Sequence, residues 1–123
     1  MSDAESSAGQ VKSTVCNDLS KLKTAKRTTL TKVTKKQNEI TKLMASDNQL
    51  HLVKTAFDEY HELTSCYRES YQSLISEMAN EDERDAEEER FQDKEFHIVQ
   101  FCDCVGRWIS EAERRLMNDL DRR

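Results

Sequence analysis

The sequence predicts an all-α protein in which three long antiparallel helices form a bundle or coiled coil. Residues that form turns are nearly absent, because the 123-residue chain contains two glycines and no proline. This composition argues against a β-sandwich, a phosphate-binding loop or a collagen-like chain. Hydrophobic residues make up 36% and charged residues 35%, a balance typical of helices that bury one stripe and expose the rest. The length fits a single domain.

The first predicted helix spans residues 7–44 and follows an acidic segment, residues 1–6, that we expect to be disordered. Ser7 provides a candidate N-terminal cap. Lys26 and Gln37 interrupt the apolar stripe of this helix, so we expect it to cover its neighbours incompletely. The apolar positions of this stripe are Val15, Leu19, Leu22, Leu30, Val33, Ile40, Leu43 and Met44.

The second predicted helix, residues 47–79, has the most regular apolar pattern in the chain. Its apolar positions advance by four and three residues in alternation, which is the heptad pattern of a helix packed along one stripe. These positions are Val53, Phe57, Tyr60, Thr64, Tyr67, Tyr71, Leu74 and Met78. Ser46 followed by Gln49 matches the capping box that begins many helices.

The third predicted helix spans residues 81–121, and Asn80 with Glu83 is expected to cap its start. An apolar stripe runs along it, with Phe101 and Trp108 on its flanks. The positions of this stripe are Phe91, Ile98, Cys102, Val105, Ile109, Ala112 and Leu116.

The boundary near Asn80 leaves an alternative, since no glycine or proline lies there. Helices two and three would then be one continuous rod in a dimeric coiled coil. The heptad pattern of the second helix argues for a hairpin instead, because its continuation meets only polar residues. Those residues are Glu81, Asp85, Glu88 and Gln92.

Charge is segregated along the chain. Residues 11–44 contain nine Lys/Arg and two acidic residues, a net charge of +7, whereas residues 45–105 contain sixteen acidic and five basic residues, a net charge of −11. A basic first helix beside two acidic helices would attract them and help to set their register.

The apolar stripes of the second and third helices are the predicted interaction surface. Their burial is expected either within one chain, as a three-helix bundle, or between chains, as a dimer. The partner is then a second copy or another helical protein. The residues of this surface are Val53, Phe57, Tyr60, Tyr67, Tyr71, Leu74, Met78, Phe91, Ile98, Val105, Trp108, Ile109 and Leu116.

A basic, threonine-rich run, Lys21–Lys42, raises the alternative of nucleic-acid binding, since clustered basic residues displace counterions from phosphate backbones. No aromatic residue is interleaved to stack on bases. We therefore favour a solvated face that complements the acidic helices. The residues that would contact nucleic acid are Lys26, Arg27, Lys32, Lys35 and Lys36.

Metal binding and catalysis find no support in the sequence. Cys102 and Cys104 lie near His97, but residues two apart on a helix point about 200° apart and cannot share one tetrahedral ion. The acidic run Glu81–Arg90 lacks the spacing and the glycine of a calcium loop. No nucleophile elbow or glycine-rich loop occurs. We expect no enzymatic activity, no cofactor, no metal and no small-molecule substrate.

The location predicted from the sequence is the cytoplasm, with the nucleus as an alternative. The four cysteines are too sparse for a disulfide framework. The acidic, polar N-terminus is unlike a secretory signal. No segment is apolar enough over about 20 residues to span a membrane.

A set of spaced residues between Thr29 and Met117 resembles a known family. They are the run Leu30-Thr31-Lys32, the run Asn38-Glu39-Ile40, the spacing Val53…Phe57…Tyr60 and the closing pattern Phe91…Phe101…Val105…Trp108-Ile109…Ala112-Glu113. This pattern resembles the N-terminal helical region of Gag-like polyproteins from Bel/Pao-type retrotransposons.

The resemblance implies a non-enzymatic helical assembly segment that lies ahead of a capsid-like or peptidase part. The sequence contains neither an Asp-Ser/Thr-Gly peptidase motif nor a Cys-His zinc knuckle. We therefore expect only the N-terminal module, a fragment, or a truncated or domesticated copy. A spectrin-like or membrane-trafficking adaptor bundle is a further alternative, since it has a similar length and heptad pattern.

Overall fold

Three α-helices account for nearly all of the described chain. The computed structural model describes residues 2–46 and 49–121, and describes side chains over residues 18–46 and 49–120. Helix α1 spans Ser2–Ala45, α2 spans Leu50–Glu77 and α3 spans Glu81–Asp121. No strand occurs in these ranges. The predicted all-α class is confirmed.

Consecutive helices run antiparallel, so α1 and α3 point in the same direction. The Nε2 of Gln37 in α1 donates a hydrogen bond to the hydroxyl of Tyr60 in α2, over 3.2 Å. Between α2 and α3, the rings of Tyr71 and Phe91 stack with centroids 3.7 Å apart. The prediction of a hairpin is confirmed, and the alternative of one continuous rod through Asn80 is wrong.

The turn between α2 and α3 is made by residues 78–80. Met78 adopts an extended conformation, and its N–H donates to the Ile75 carbonyl over 3.2 Å. The side-chain oxygen of Asn80 accepts a hydrogen bond from the Glu83 N–H over 3.0 Å, which confirms the predicted cap. The first turn of α3 also carries acidic side chains, which the partial positive charge at a helix N-terminus stabilises. These are Glu81, Asp82 and Glu83.

The start of α2 differs from the prediction. Gln49 is the N-cap residue and makes no side-chain capping hydrogen bond, so the predicted capping box at Ser46 is wrong. The Ser46 hydroxyl instead donates to the Lys42 carbonyl over 3.3 Å, at the end of α1. Since α2 begins at Leu50, Ser46 is too far from its free N–H groups to cap them. The predicted start, Asp47, lies outside the described residues.

The start of α1 also differs, since this helix begins at Ser2 and includes most of the segment 1–6 that was predicted to be disordered. Ser7 is therefore within the helix, and its side chain lies outside those described.

The core lies where the three helices face one another. Burying each large apolar side chain contributes about 1.5–3 kcal/mol, so this cluster supplies most of the driving force for folding. Its buried members are Val33 and Ile40 of α1, Val53, Ala56, Tyr60 and Tyr67 of α2, and Ile98 and Val105 of α3.

Two polar residues interrupt the apolar stripe of α1, and each meets a partner on another helix. Gln37 donates to Tyr60, as described above. The Nζ of Lys26 lies 2.6 Å from the Oε2 of Glu87, and the two side chains are 16% and 12% exposed. This pair links α1 to α3. Lys26 and Gln37, which the sequence indicated as interruptions of the apolar stripe of α1, therefore each form a polar contact with another helix.

Candidate interaction surface

Most of the predicted interaction surface is the core of a single chain. Of its residues, Phe57, Phe91, Trp108 and Ile109 are half-buried against the core, and Leu116 is 55% exposed. The buried remainder consists of Val53, Tyr60, Tyr67, Tyr71, Leu74, Met78, Ile98 and Val105. A partner therefore cannot reach most of these residues while the bundle stays folded.

The three tyrosines of this set show the environment of a core. Burial raises the pKa of Tyr67 to about 12 and raises the pKa of Tyr60 still further. Burial likewise raises the pKa of Tyr71. All three hydroxyls thus stay neutral to a higher pH than the hydroxyl of a tyrosine in water, as expected for side chains that pack within the bundle.

The largest exposed apolar side chains near one end of the bundle lie on the last turns of α3. Leu116, Met117 and Leu120 are 55%, 61% and 57% exposed, and we call these three residues the C-terminal patch. Residues three and four apart on a helix lie side by side, so the patch is continuous. Met117 and Leu120 were absent from the predicted interaction surface. The signal that could have found them was the excess length of the third predicted helix over the second.

The two leucines of the patch are exposed because α2 begins beside them, whereas Met117 lies on the same side of α3 as the exposed Val99, five helical turns earlier. The Nζ of Lys54 lies 3.8 Å from the Oε2 of Glu113, so these residues are level with each other along the bundle. Helix α2 begins at Leu50, about one turn beyond Lys54. The two helices run antiparallel, so the part of α3 after Met117 has no residue of α2 beside it. The apolar stripe of α3 thus continues past the helix that covers it.

A cleft of about 620 Å³ adjoins the patch. Its apolar walls come from all three helices, with Met44 at the end of α1, Leu50 at the start of α2, and Trp108 on α3. Arg115 and Asp119 also line it. The end of the bundle thus combines projecting apolar side chains with a hollow that has an apolar lining.

Two more exposed apolar side chains lie elsewhere on α3. Phe96 and Val99 are 61% and 52% exposed, and neither lies on the stripe of α3 that contains the buried Ile98 and Val105. They are remote from the cleft and from the C-terminal patch. Their exposure is similar to that of the patch residues, so they are suitable positions for control substitutions.

The predicted nucleic-acid residues fall into two groups. Lys26 pairs with Glu87, and the Nζ of Lys36 lies 2.7 Å from Glu39 and 3.6 Å from Glu59. The hydrogen bond that Lys36 donates to the Glu39 carboxylate raises the pKa of Lys36. The remaining residues are exposed and form no ion pair with any other described residue; they are Arg27, Lys32 and Lys35.

A second ion pair between α2 and α3, besides that of Lys54 with Glu113, joins Arg68 to Glu95. The Nε and Nη2 of Arg68 donate to the two carboxylate oxygens of Glu95, over 2.7 and 3.2 Å. This geometry is bidentate and charge-assisted, and Glu95 raises the pKa of Arg68. The pair lies partly exposed at the edge of the core. Its position indicates a role in the alignment of the two helices.

The side chains that prompted a metal interpretation do not converge. The Nδ1 of His97 donates to the Asp93 carbonyl over 2.7 Å. Cys104 is exposed and Cys102 is half-buried, where burial raises the pKa of its thiol. Among the described side chains, no group of three His, Cys, Asp or Glu is placed to hold a metal ion.

The helices in the described ranges also lack any apolar segment of the length and hydrophobicity needed to cross a bilayer. The described residues thus define a three-helix bundle with exposed apolar side chains on the last turns of α3. No family model, no curated protein and no solved structure matches the chain.

Proposed function

We propose that this protein is a non-enzymatic interaction module that associates with copies of itself through the C-terminal patch. The observation that supports this proposal is the exposure of Leu116, Met117 and Leu120 on adjacent turns of α3. Contiguous exposed apolar residues beside a cleft mark sites of protein association more often than do isolated ones. The buried stripes of α2 and α3 form the scaffold that holds this end of α3 in place.

We further propose an origin in the Gag-like proteins of retroelements. The support is the sequence resemblance over Thr29–Met117, in which the closing pattern includes Trp108 and Ile109. The resemblance implies a helical assembly segment, and self-association through the end of α3 would agree with that role.

Sedimentation equilibrium over the micromolar range tests self-association. We expect the unmodified protein to form dimers or larger species. The double substitution Leu116→Ser, Leu120→Ser is expected to weaken association at least about tenfold. The free energy gained when two leucine side chains become buried between copies exceeds the ~1.4 kcal/mol that a factor of ten requires.

The matched control is Phe96→Ser, Val99→Ser, which removes two similarly exposed apolar side chains from the outer face of α3 and should leave association unchanged. An unmodified protein that is folded and monomeric throughout the concentration range would contradict the proposal. Equal weakening by the control pair would place the contact elsewhere.

Nucleic-acid binding is a second candidate function, favoured by the exposure of Arg27, Lys32 and Lys35 without acidic partners among the described residues. Binding to a single-stranded RNA oligonucleotide at low ionic strength is expected to weaken steeply with added salt. Reversal of all three charges to Glu should abolish it.

A matched control reverses Lys54, Lys94 and Arg107, which changes the net charge equally but lies on α2 and α3. If both triple variants lose binding equally, the effect reflects net charge and the basic face of α1 is not the site. If the unmodified protein shows no salt-dependent binding, this second function is excluded.

A further inference from the structure

We propose that the groove between α1 and α3 binds an acidic amphipathic helix of a partner protein, which takes the fourth position of a four-helix bundle. This surface is separate from the C-terminal patch, because Ile98 in the groove lies about 27 Å along α3 from Leu116 in the patch. The inference therefore goes beyond the proposed self-association and does not depend on it.

The groove exists because α1 and α3 both pack on α2 and scarcely on each other. In the described ranges, the backbone of α2 approaches those of both other helices, whereas the backbones of α1 and α3 come close at hardly any point. Helices α1 and α3 also point in the same direction. In an antiparallel four-helix bundle, two helices of the same direction lie on a diagonal, and each remaining position adjoins both. Helix α2 occupies one such position, so the groove is the other.

A hollow of about 480 Å³ lies in this groove, between α1 and α3. The buried side chains of Val33 and Ile98 line it, as do Leu30 and Phe101, which are half-buried. Trp108 follows Phe101 by seven residues and so lies on the same face of α3. The apolar lining thus continues to the cleft at the end of the bundle, where Trp108 is part of the wall.

Basic side chains flank this apolar lining on both sides. Lys94 of α3 lines the hollow and is exposed. On α1, Arg27 is exposed one turn before Leu30. Arg27 and Lys94 form no ion pair with any other described residue, so each rim of the groove has a cation available to a partner.

The net charge of this side of the bundle is also positive. Between the level of the Lys26–Glu87 pair and that of Phe101, helical spacing places four basic and two acidic residues here, a net charge of +2 within a chain of net charge −5. The basic residues are Lys26, Arg27, Arg90 and Lys94, and the acidic residues are Glu87 and Asp93.

An apolar groove with a cation on each rim fits a helix whose apolar stripe is flanked by carboxylates. The stripe would pack on Val33 and Ile98, and the flanking carboxylates would meet the two rims, as residues beside the apolar positions do in coiled coils. A basic helix would place like charges along both rims. A nucleic-acid strand would leave the apolar lining without an apolar partner.

A designed peptide of three heptads, about 21 residues and about 31 Å long as a helix, tests the inference. It has Leu at the two apolar positions of each heptad and Glu beside them, so repulsion keeps it from pairing with itself. By fluorescence anisotropy we expect micromolar binding, and binding at least about tenfold weaker for the analogue with Lys in place of Glu. Equal binding of the two peptides, or binding of neither, would overturn the inference.

Charge reversal on the rims should exchange this preference. We expect Arg27→Glu, Lys94→Glu to weaken binding of the acidic peptide at least about tenfold and to strengthen binding of the basic one. The matched control is Lys35→Glu, Arg107→Glu, which alters the net charge equally at exposed positions of α1 and α3 outside the groove. At physiological salt it should change binding by less than about threefold. If both variants act alike, the peptide does not lie between Arg27 and Lys94, and the inference fails.

A bulky side chain in the hollow provides a test that is independent of charge. Thr34 lines the hollow, whereas Thr31 is exposed on the outer face of the same helix. Thr34→Trp should weaken peptide binding at least about tenfold by filling the hollow, and Thr31→Trp should leave it unchanged. Equal effects would overturn the inference. Binding of an RNA oligonucleotide that only Thr34→Trp abolishes would assign the groove to nucleic acid instead.

The fourth position also fixes the direction of the peptide, which should run antiparallel to α1 and α3. A nitroxide at its N-terminus is then expected to quench the fluorescence of Trp108 more strongly than one at its C-terminus, and equal quenching would reject this direction. Leu116→Ser, Leu120→Ser should bind the peptide normally, so a monomeric unmodified protein would reject self-association alone. Loss of peptide binding in that variant would place the peptide on the C-terminal patch and overturn the inference.

Discussion

Replacement of Tyr60 by alanine is expected to lower the free energy of unfolding by about 3–5 kcal/mol, the range for removal of a buried aromatic side chain. Tyr60 is completely buried. The centroid of its ring lies 5.1 Å from the ring centroid of Phe101 of α3 and 6.3 Å from that of Phe57. The substitution therefore opens a cavity where the three helices meet. Urea unfolding followed by circular dichroism measures the loss.

Two companion variants separate the contributions of Tyr60. Tyr60→Phe keeps the ring but leaves Gln37 without its hydrogen-bond acceptor, so we expect a smaller loss of about 1 kcal/mol. Phe96→Ala removes an aromatic ring that is 61% exposed, and should change stability by less than about 0.5 kcal/mol. If Tyr60→Ala and Phe96→Ala were equally mild, α3 would not pack on Tyr60 as described.

Substitution of aspartate for Val105 is expected to have a still larger effect, above about 4 kcal/mol, because it places an unpaired carboxylate in the core. Val105 is completely buried and belongs to the cluster that all three helices share. Such a loss is a large part of the 5–15 kcal/mol by which typical domains are stable. We therefore expect α3 to leave its place on α2 and the bundle to unfold.

Trp108 reports this change directly, since it is the sole tryptophan of the sequence and lies one turn from Val105. Its fluorescence emission should shift to longer wavelength in Val105→Asp as the side chain becomes exposed to water. The control is Cys104→Asp, at the adjacent exposed position, where the emission and the stability should stay unchanged. If the two variants had the same emission wavelength and the same stability, α3 would pack on the other helices through a different face.

The heptad spacing of α2 allowed its buried face to be predicted from sequence alone. Val53, Tyr60, Tyr67 and Leu74 are all buried, since a helix with one apolar stripe has one way to remove that stripe from water. The cap at Asn80 was predictable for a similar reason. It depends on side-chain and backbone groups only three residues apart, which the chain order brings together without help from other helices.

Contacts between residues that are far apart in the chain could not be predicted from the sequence. Gln37 and Lys26 looked like defects in the stripe of α1, because their partners, Tyr60 and Glu87, are 23 and 61 residues away. Ser46 had the capping-box pattern, yet α2 begins too late for it to act there. In each case the outcome depended on where another helix lies.

The candidate site shows the same division. The spacing of Leu116 from the other apolar residues of α3 places it on the apolar stripe. This spacing does not show whether the leucine is buried or exposed. Its exposure depends on the level at which α2 begins relative to α3, and this level results from the packing of the whole core.

The helical class, the faces that pack and the break between α2 and α3 could thus be predicted from the sequence. They follow from local periodicity and short-range hydrogen bonds, which involve only a few neighbouring residues. Only the tertiary structure decided which lysines are paired and which end of the apolar stripe lies in water. The physical reason is that ion pairing and burial depend on the distance between helices, and packing sets that distance.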